Sequence, residues 1–171
     1  MGLAVAKALA AEGSWQLHII GINSERGIQA AKDLQPYATF HRADVSLYSE
    51  LSAVFQAVFQ RHNRLDFVFA NAGITESSSF YTPLPEASST DEGPPEPDLR
   101  VLDVDLNGVI FSSCLASHYF RRSPDRGQGA NLVITASCGS LYPSYYSPVY
   151  TAAKRESLML IFIFFYFPAP V

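Results

Sequence analysis

The sequence has few charges and no cluster of basic ones. Charged residues make up 16 % of its 171 residues, and the formal net charge is −4. Without a basic block there is nothing to neutralise a polyphosphate backbone, which argues against a nucleic-acid partner. Cysteine is scarce as well. Cys114 and Cys138 stand at no metal-ligand or redox spacing, so they read as reduced thiols of a cytoplasmic protein, and no metal site is expected. No signal peptide opens the chain, which starts MGLAVAKALAAEG, alanine-rich and helical at once. Long apolar runs are also missing. The run LMLIFIFFYF at 158–167 falls well short of the roughly 20 residues that span a bilayer. It has no amphipathic face and no basic flank beyond Arg155, which argues against membrane attachment. A buried strand is its plainest reading.

What is present is an alternation of helix and strand. Residues 2–12 read as a helix closed by Gly13. The run QLHIIGI at 16–22 reads as a strand buried on both faces. Ser24 can cap a helix reaching about Leu34, and ATFHRA at 38–43 is a second strand. Ser46 can cap a third helix, with Leu47, Leu51, Val54, Phe55, Val58 and Phe59 at helical spacing on a face packed against a sheet. LDFVFA at 65–70 is a third strand. Residues 75–98 are acidic and proline-rich with no basic residue, a solvated loop too long for a mere connector. A long helix is expected over 99–120, a fourth strand over 131–136, and a last helix opening at Tyr150. The order implies an α/β fold with a parallel sheet covered on both faces.

In such a sheet, ligands gather at the carboxyl ends of the strands. Asp44, the stretch NAGI at 71–74 and the stretch SCGS at 137–140 all fall there. Tyr150 and Lys154 lie four residues apart and share a helix face. A neighbouring ammonium favours the phenolate, which would turn a poor base into a group able to exchange a proton with an alcohol or carbonyl. Chance produces Y-x-x-x-K often, and a surface pair without a role is the plain alternative. Ser137, at a strand end thirteen residues earlier, adds a hydroxyl that can address the same oxygen.

With Asp44-Val45, Asn71-Ala72-Gly73, the strand end VITAS at 133–137 and YTAAK at 150–154, in this order, the chain resembles the short-chain dehydrogenase/reductase family from Met1 to about Lys154. Within the family it is most similar to the branch of 15-hydroxyprostaglandin dehydrogenase. The resemblance implies a doubly wound, Rossmann-like fold and an NAD(P)-dependent oxidoreductase acting on a small secondary alcohol or ketone. It implies Tyr150 as general acid/base, and Lys154 as the residue that binds the nicotinamide ribose and makes the phenol more acidic. Ser137 would orient the substrate oxygen. Asn71, Ala72 and Gly73 would form the turn on the adenosine side, and Asp44 with Val45 would meet the adenine. The family's dimers imply homo-oligomers through helix 99–120 and the Tyr150 helix. A nucleotide-sugar epimerase or dehydratase would share the Tyr–Lys chemistry, but the Asn71-Ala72-Gly73 turn favours the dehydrogenases.

Four departures qualify this. The family's first strand and Gly-rich turn have only Gly2 as a counterpart here, which weakens the pyrophosphate cradle. Asp105, in VDLNG at 104–108, stands where the family has a catalytic asparagine; ionised, it accepts hydrogen bonds and donates none. Gly21 occupies the place of the acid found in NAD-preferring members, while Asn23, Ser24 and Arg26 can receive a 2′-phosphate, which favours NADP over NAD. The segment 155–171 does not resemble the family's continuation and reads as an atypical tail from about residue 158, after a partial Rossmann-like domain over 1–157. Truncation at both ends is therefore expected, and a non-catalytic remnant with little cofactor binding is the alternative to an active oxidoreductase.

Overall fold

A computed structural model describes residues 1–77 and 96–166, with the backbone alone for 161–166. The loop expected over 75–98 lies mostly outside the described residues, as does the tail beyond 166. The elements run α1 (Gly2–Glu12), β1 (Leu17–Gly21), α2 (Ser24–Asp33), β2 (Ala38–Arg42), α3 (Tyr48–His62), β3 (Phe67–Ala70), α4 (Arg100–Leu102), a π-helical turn (Asp103–Asn107), α5 (Gly108–Arg122), β4 (Asn131–Ile134), a 3-10 turn (Cys138–Ser140) and α6 (Pro148–Tyr166). They form two compact units: residues 1–72 with 107–135, and residues 73–106 with 136–171.

The first unit contains all four strands. β1 pairs with β2 in parallel, Leu17 opposite Ala38 through Gly21 opposite Arg42. β3 pairs with β4 in parallel, Phe67 opposite Asn131 through Ala70 opposite Ile134. Among the described residues these remain two separate two-stranded sheets. Every connection is a crossover carrying helix, so the fold is Rossmann-like, with an incomplete sheet.

The core of this unit follows from the apolar face of α3. Leu51, Phe55 and Leu115 are buried together, with Ile20, Val45, Leu65 and Val68 packed around them. Val54 and Val58 meet Ala43 in a second cluster. Burying side chains of this size contributes about 1.5–3 kcal/mol each. Tyr119 of α5 lies against Phe55 and Phe59, with ring centroids 6.2 and 5.0 Å away. Gly27 lets α2 lie on β2, because a Cβ there would fall 2.0 Å from the Phe40 ring.

The helix ends show how the chain is punctuated. Gly13, at φ 71°, closes α1 and returns its N–H to Ala10, as expected. The cap of α2 is Asn23, not Ser24: its side chain accepts the Arg26 N–H at 2.9 Å, leaving Ser24 as the first helical residue. Ser46 does not cap α3. Its N–H and hydroxyl both turn back to Asp44 Oδ1, and Leu47 takes the cap position without a side-chain bond. The expected helix over 99–120 runs without a gap as α4, a π turn at Asp103–Asn107 and α5. The apolar run after Leu158 is not a strand, because α6 continues through it to Tyr166.

In the second unit, α6 packs on α4 and on the 3-10 turn. Thr151, Ala153, Lys154 and Ser157 form its buried face. No described helix is long and apolar enough to cross a membrane.

Candidate active site

In the second unit Ser137 opens a tight turn. Ser137 caps it, accepting the Gly139 N–H at 3.1 Å, while Ser140 Oγ accepts the Ser137 N–H at 3.2 Å. Ser140 Oγ also donates to the carbonyl of Lys154 at 2.8 Å, tying this turn to the middle of α6. Gly139 lies between the serine and the tyrosine. A Cβ placed on it would be 3.5 Å from Ser137 Oγ and 3.8 Å from Tyr150 Cε1. Ser137 and Tyr150 thus flank one small space, which side chains other than glycine's would fill.

Tyr150 is partly buried in the first turn of α6, and that turn has a carboxylate at its start. Glu76 accepts the N–H groups of Val149 at 3.2 Å and Tyr150 at 3.0 Å. This satisfies two of the amides a helix N-terminus leaves open and puts negative charge at the positive end of the helix. Thr151 Oγ1 accepts the Ser144 N–H at 3.1 Å, fixing the approach to the helix.

One turn on, Lys154 is 3 % exposed. Its Nζ lies 5.8 Å from the centre of the Tyr150 ring and 3.0 Å from Asp105 Oδ2. Asp105 is fully buried; its Oδ1 accepts the Ile74 N–H at 2.8 Å, and its carbonyl accepts the Ser157 hydroxyl at 2.9 Å. Gly73 makes room for this pair, because a Cβ there would approach Asp105 Oδ2 to 2.7 Å. The wider turn of a π segment, a feature frequent at functional sites, carries Asp105. Nearby, Asp98 is paired with Arg100, whose guanidinium holds that carboxyl far below the usual carboxylate range. The second unit therefore brings together Gly73, Asp105, Ser137, Tyr150 and Lys154.

The other expected residues belong to the first unit. Asn71 follows β3; its Oδ1 accepts the Thr135 hydroxyl at 3.1 Å, joining the ends of β3 and β4, and its Nδ2 lies 3.1 Å from where a Cβ on Gly2 would stand. Ala72 is exposed. Asp44 is drawn into a local turn, its Oδ1 accepting from Ser46 and its N–H donating to Glu50 at 2.9 Å. Val45 packs into the core and touches Gly108, where an added Cβ would come within 3.0 Å of it. Gly21 ends β1, and a Cβ there would meet nothing within 4 Å. Asn23 spends its carbonyl oxygen on the α2 cap.

Sequence reading gave no individual role to Glu76, Ser140 or Ser157. Glu76 lay in a stretch read as solvated loop, and nothing in the sequence connects it to a helix start more than seventy residues later. Ser140 follows Ser137 by three, the spacing of a capping box, and that signal could have found it. Among the described residues no group of three or more His, Cys, Asp or Glu side chains could hold a metal ion.

Comparison with known proteins matches residues 1–161 to the family model described as short chain dehydrogenase. A short-chain dehydrogenase/reductase of Penicillium rubens, prx7, is 59 % identical over 90 % of this chain and 55 % of its own length. Another from the same organism, prx6, is 37 % identical over 90 % of this chain and 51 % of its own length. The chain thus spans about half the length of these curated relatives. An alcohol dehydrogenase from the archaeon Thermococcus sibiricus, solved with 5-hydroxy-NADP, has the same fold: TM-score 0.75 at 24 % identity, over 94 % of this chain and 63 % of that one.

Proposed function

The chain belongs to the short-chain dehydrogenase/reductase family, and on that premise we propose that it carries the catalytic side of an NAD(P)-dependent oxidoreductase for a secondary alcohol or ketone. The observation that supports this most is the small space over Gly139, flanked by Ser137 Oγ and the Tyr150 ring.

Tyr150 gives a proton to a carbonyl oxygen in reduction and takes one from a hydroxyl in oxidation. Ser137 holds the same oxygen. A lone pair of its hydroxyl is committed to the Gly139 N–H, and its hydrogen makes a long bond to Cys138 Sγ at 4.0 Å, which a substrate oxygen can replace. Glu76 fixes the backbone of Tyr150, which keeps the phenol at one height over the turn.

The end of β1 suits the adenosine side of a dinucleotide, while Gly2 is all that stands for the pyrophosphate turn. The end of β1 is open beside Gly21, and Asn23, Ser24 and Arg26 follow it with hydrogen-bond donors and a positive charge. Those donors suit a 2′-phosphate, so NADP is preferred to NAD. Asp44 and Val45 would meet the adenine, and Gly2 with Asn71, Ala72 and Gly73 the phosphate and adenosine side. Lys154 would face the nicotinamide ribose. When bound, the nicotinamide supplies or accepts a hydride at the carbinol carbon. Self-association would use the surfaces of α5 and α6.

Titrating the purified chain with NADPH and NADH, with nicotinamide fluorescence as readout, tests the cofactor reading. Saturable binding with a Kd of about micromolar order, tighter for NADPH, is expected. A signal that does not saturate by about millimolar cofactor would favour the non-catalytic remnant.

A further inference from the structure

Asp105 and Lys154 are the two charged side chains buried among the described residues, at 0 % and 3 % exposure, and they face each other at 3.0 Å. The Ile74 N–H holds the carboxylate at Oδ1, the Ser157 hydroxyl anchors the backbone carbonyl of the same residue, and the absence of a side chain on Gly73 leaves room for Oδ2. Oδ2 itself takes no hydrogen bond among the described residues, so its compensation is the ammonium's charge. A buried charge pair is neutral as a unit, and its outward field is that of a dipole rather than of a lone cation.

We propose that Asp105 is a positioning residue that confines the Lys154 ammonium beneath Tyr150 as half of a neutral pair, so that Asp105 and Lys154 together, and not Lys154 alone, set how readily Tyr150 gives up its proton. The proposal rests on the reading of Tyr150 as acid/base. It differs from a lone-lysine arrangement in sign: the carboxylate opposes the help that the ammonium gives to a phenolate. Other titratable groups lie on the elements packed against α6. They are Arg100 and Asp103 near the π turn, Cys138 on the 3-10 turn, Glu76 at the helix start, and Arg155 and Glu156 on α6 itself. Arg100 is paired with Asp98, and Glu76 is engaged by two amides. Neither is removed in the variants below, so their contribution is constant.

The test is a pH titration of the Tyr150 phenol by carbon NMR on tyrosine-labelled protein, without cofactor, with Tyr150→Phe assigning the resonance. Asp105→Asn strips the opposing charge and is expected to move the Tyr150 midpoint to lower pH by roughly half to one unit. Lys154→Met added to that variant is expected to raise the midpoint back toward the wild-type value, because the ammonium that favoured the phenolate is gone. The double variant removes both charges of the pair instead of stranding one of them, so it provides a readout if Asp105→Asn alone does not fold. An unchanged or raised midpoint in Asp105→Asn overturns the proposal. So does a double variant whose midpoint lies a full unit above wild type, which is the mark of a lysine acting alone. A merely structural Asp105 would lower thermal stability and leave these midpoints in place. Because no cofactor is present, failure of NADPH binding does not affect the result.

Discussion

At the residue scale, the proposed site uses two glycines for different reasons. Gly73 yields to a buried carboxylate, and Gly139 keeps open the space between Ser137 and Tyr150. Gly73→Ala would push a methyl to 2.7 Å from Asp105 Oδ2, an overpacking that costs about 1–3 kcal/mol. Thermal unfolding should report it as a fall in Tm of several degrees; an unchanged Tm would mean that the Asp105–Lys154 pair shifts at little cost. The placement of Ser137 just past a strand end, and of Tyr150 and Lys154 on one helix, was legible because pattern and spacing agreed. Asp105 was legible as a departure, but its partner was not. That Lys154 is inside and paired follows from the π turn and from Gly73, and neither has a sequence signature that links positions 73, 105 and 154.

At the element scale, periodicity located β1, β2, α3, β3 and β4 to within a few residues, since each buries an apolar face or stretch. It failed where local chemistry competes with it. Asn23 outcompeted Ser24 for the α2 cap, and Ser46 was drawn into a turn by Asp44. The π turn within the expected helix over 99–120 leaves no mark on the apolar pattern, because it adds one residue without ending the helix. The run after Leu158 continues as helix since it begins on an already formed α6, and no turn residue intervenes before Pro168. Glu76 is the element-scale residue with the clearest consequence. Glu76→Gln keeps the shape but removes the charge at the start of α6, and should cost roughly 0.5–1 kcal/mol. Urea unfolding would measure it, and a cost that does not shrink at high salt would contradict the charge–dipole account.

At the scale of the whole chain, one feature of the first unit makes stability depend on pH. His18 on β1 lies 2.9 Å from His41 on β2 and 3.1 Å from His62 at the end of α3, ring nitrogen to ring nitrogen. Burial, then the neighbouring His41, His62 and Arg61, lower the His18 pKa to about 4; burial and Arg61 lower that of His41. A histidine whose folded pKa is lowered stabilises the fold fully above its unfolded value near 6.5 and loses that contribution as pH falls toward 4. Discounted for the half-exposed ring, His18 contributes roughly 1–2 kcal/mol. Stability should therefore drop between pH 6.5 and 4, and the drop should flatten in His18→Gln; an equally steep drop in the variant would remove the histidines from the account. Overall connectivity was readable from the alternation of helix and strand. The division into two sheets and two units was not, because strand pairing is decided by partners distant in sequence. The central claim, that Tyr150 is the proton donor and acceptor of an alcohol–ketone redox site, is tested most directly by NADPH oxidation with a panel of ketones, compared between wild type and Tyr150→Phe. The account predicts measurable turnover that falls by about 100-fold or more in the variant while NADPH binding is unchanged; turnover undiminished by the loss of that hydroxyl would contradict it.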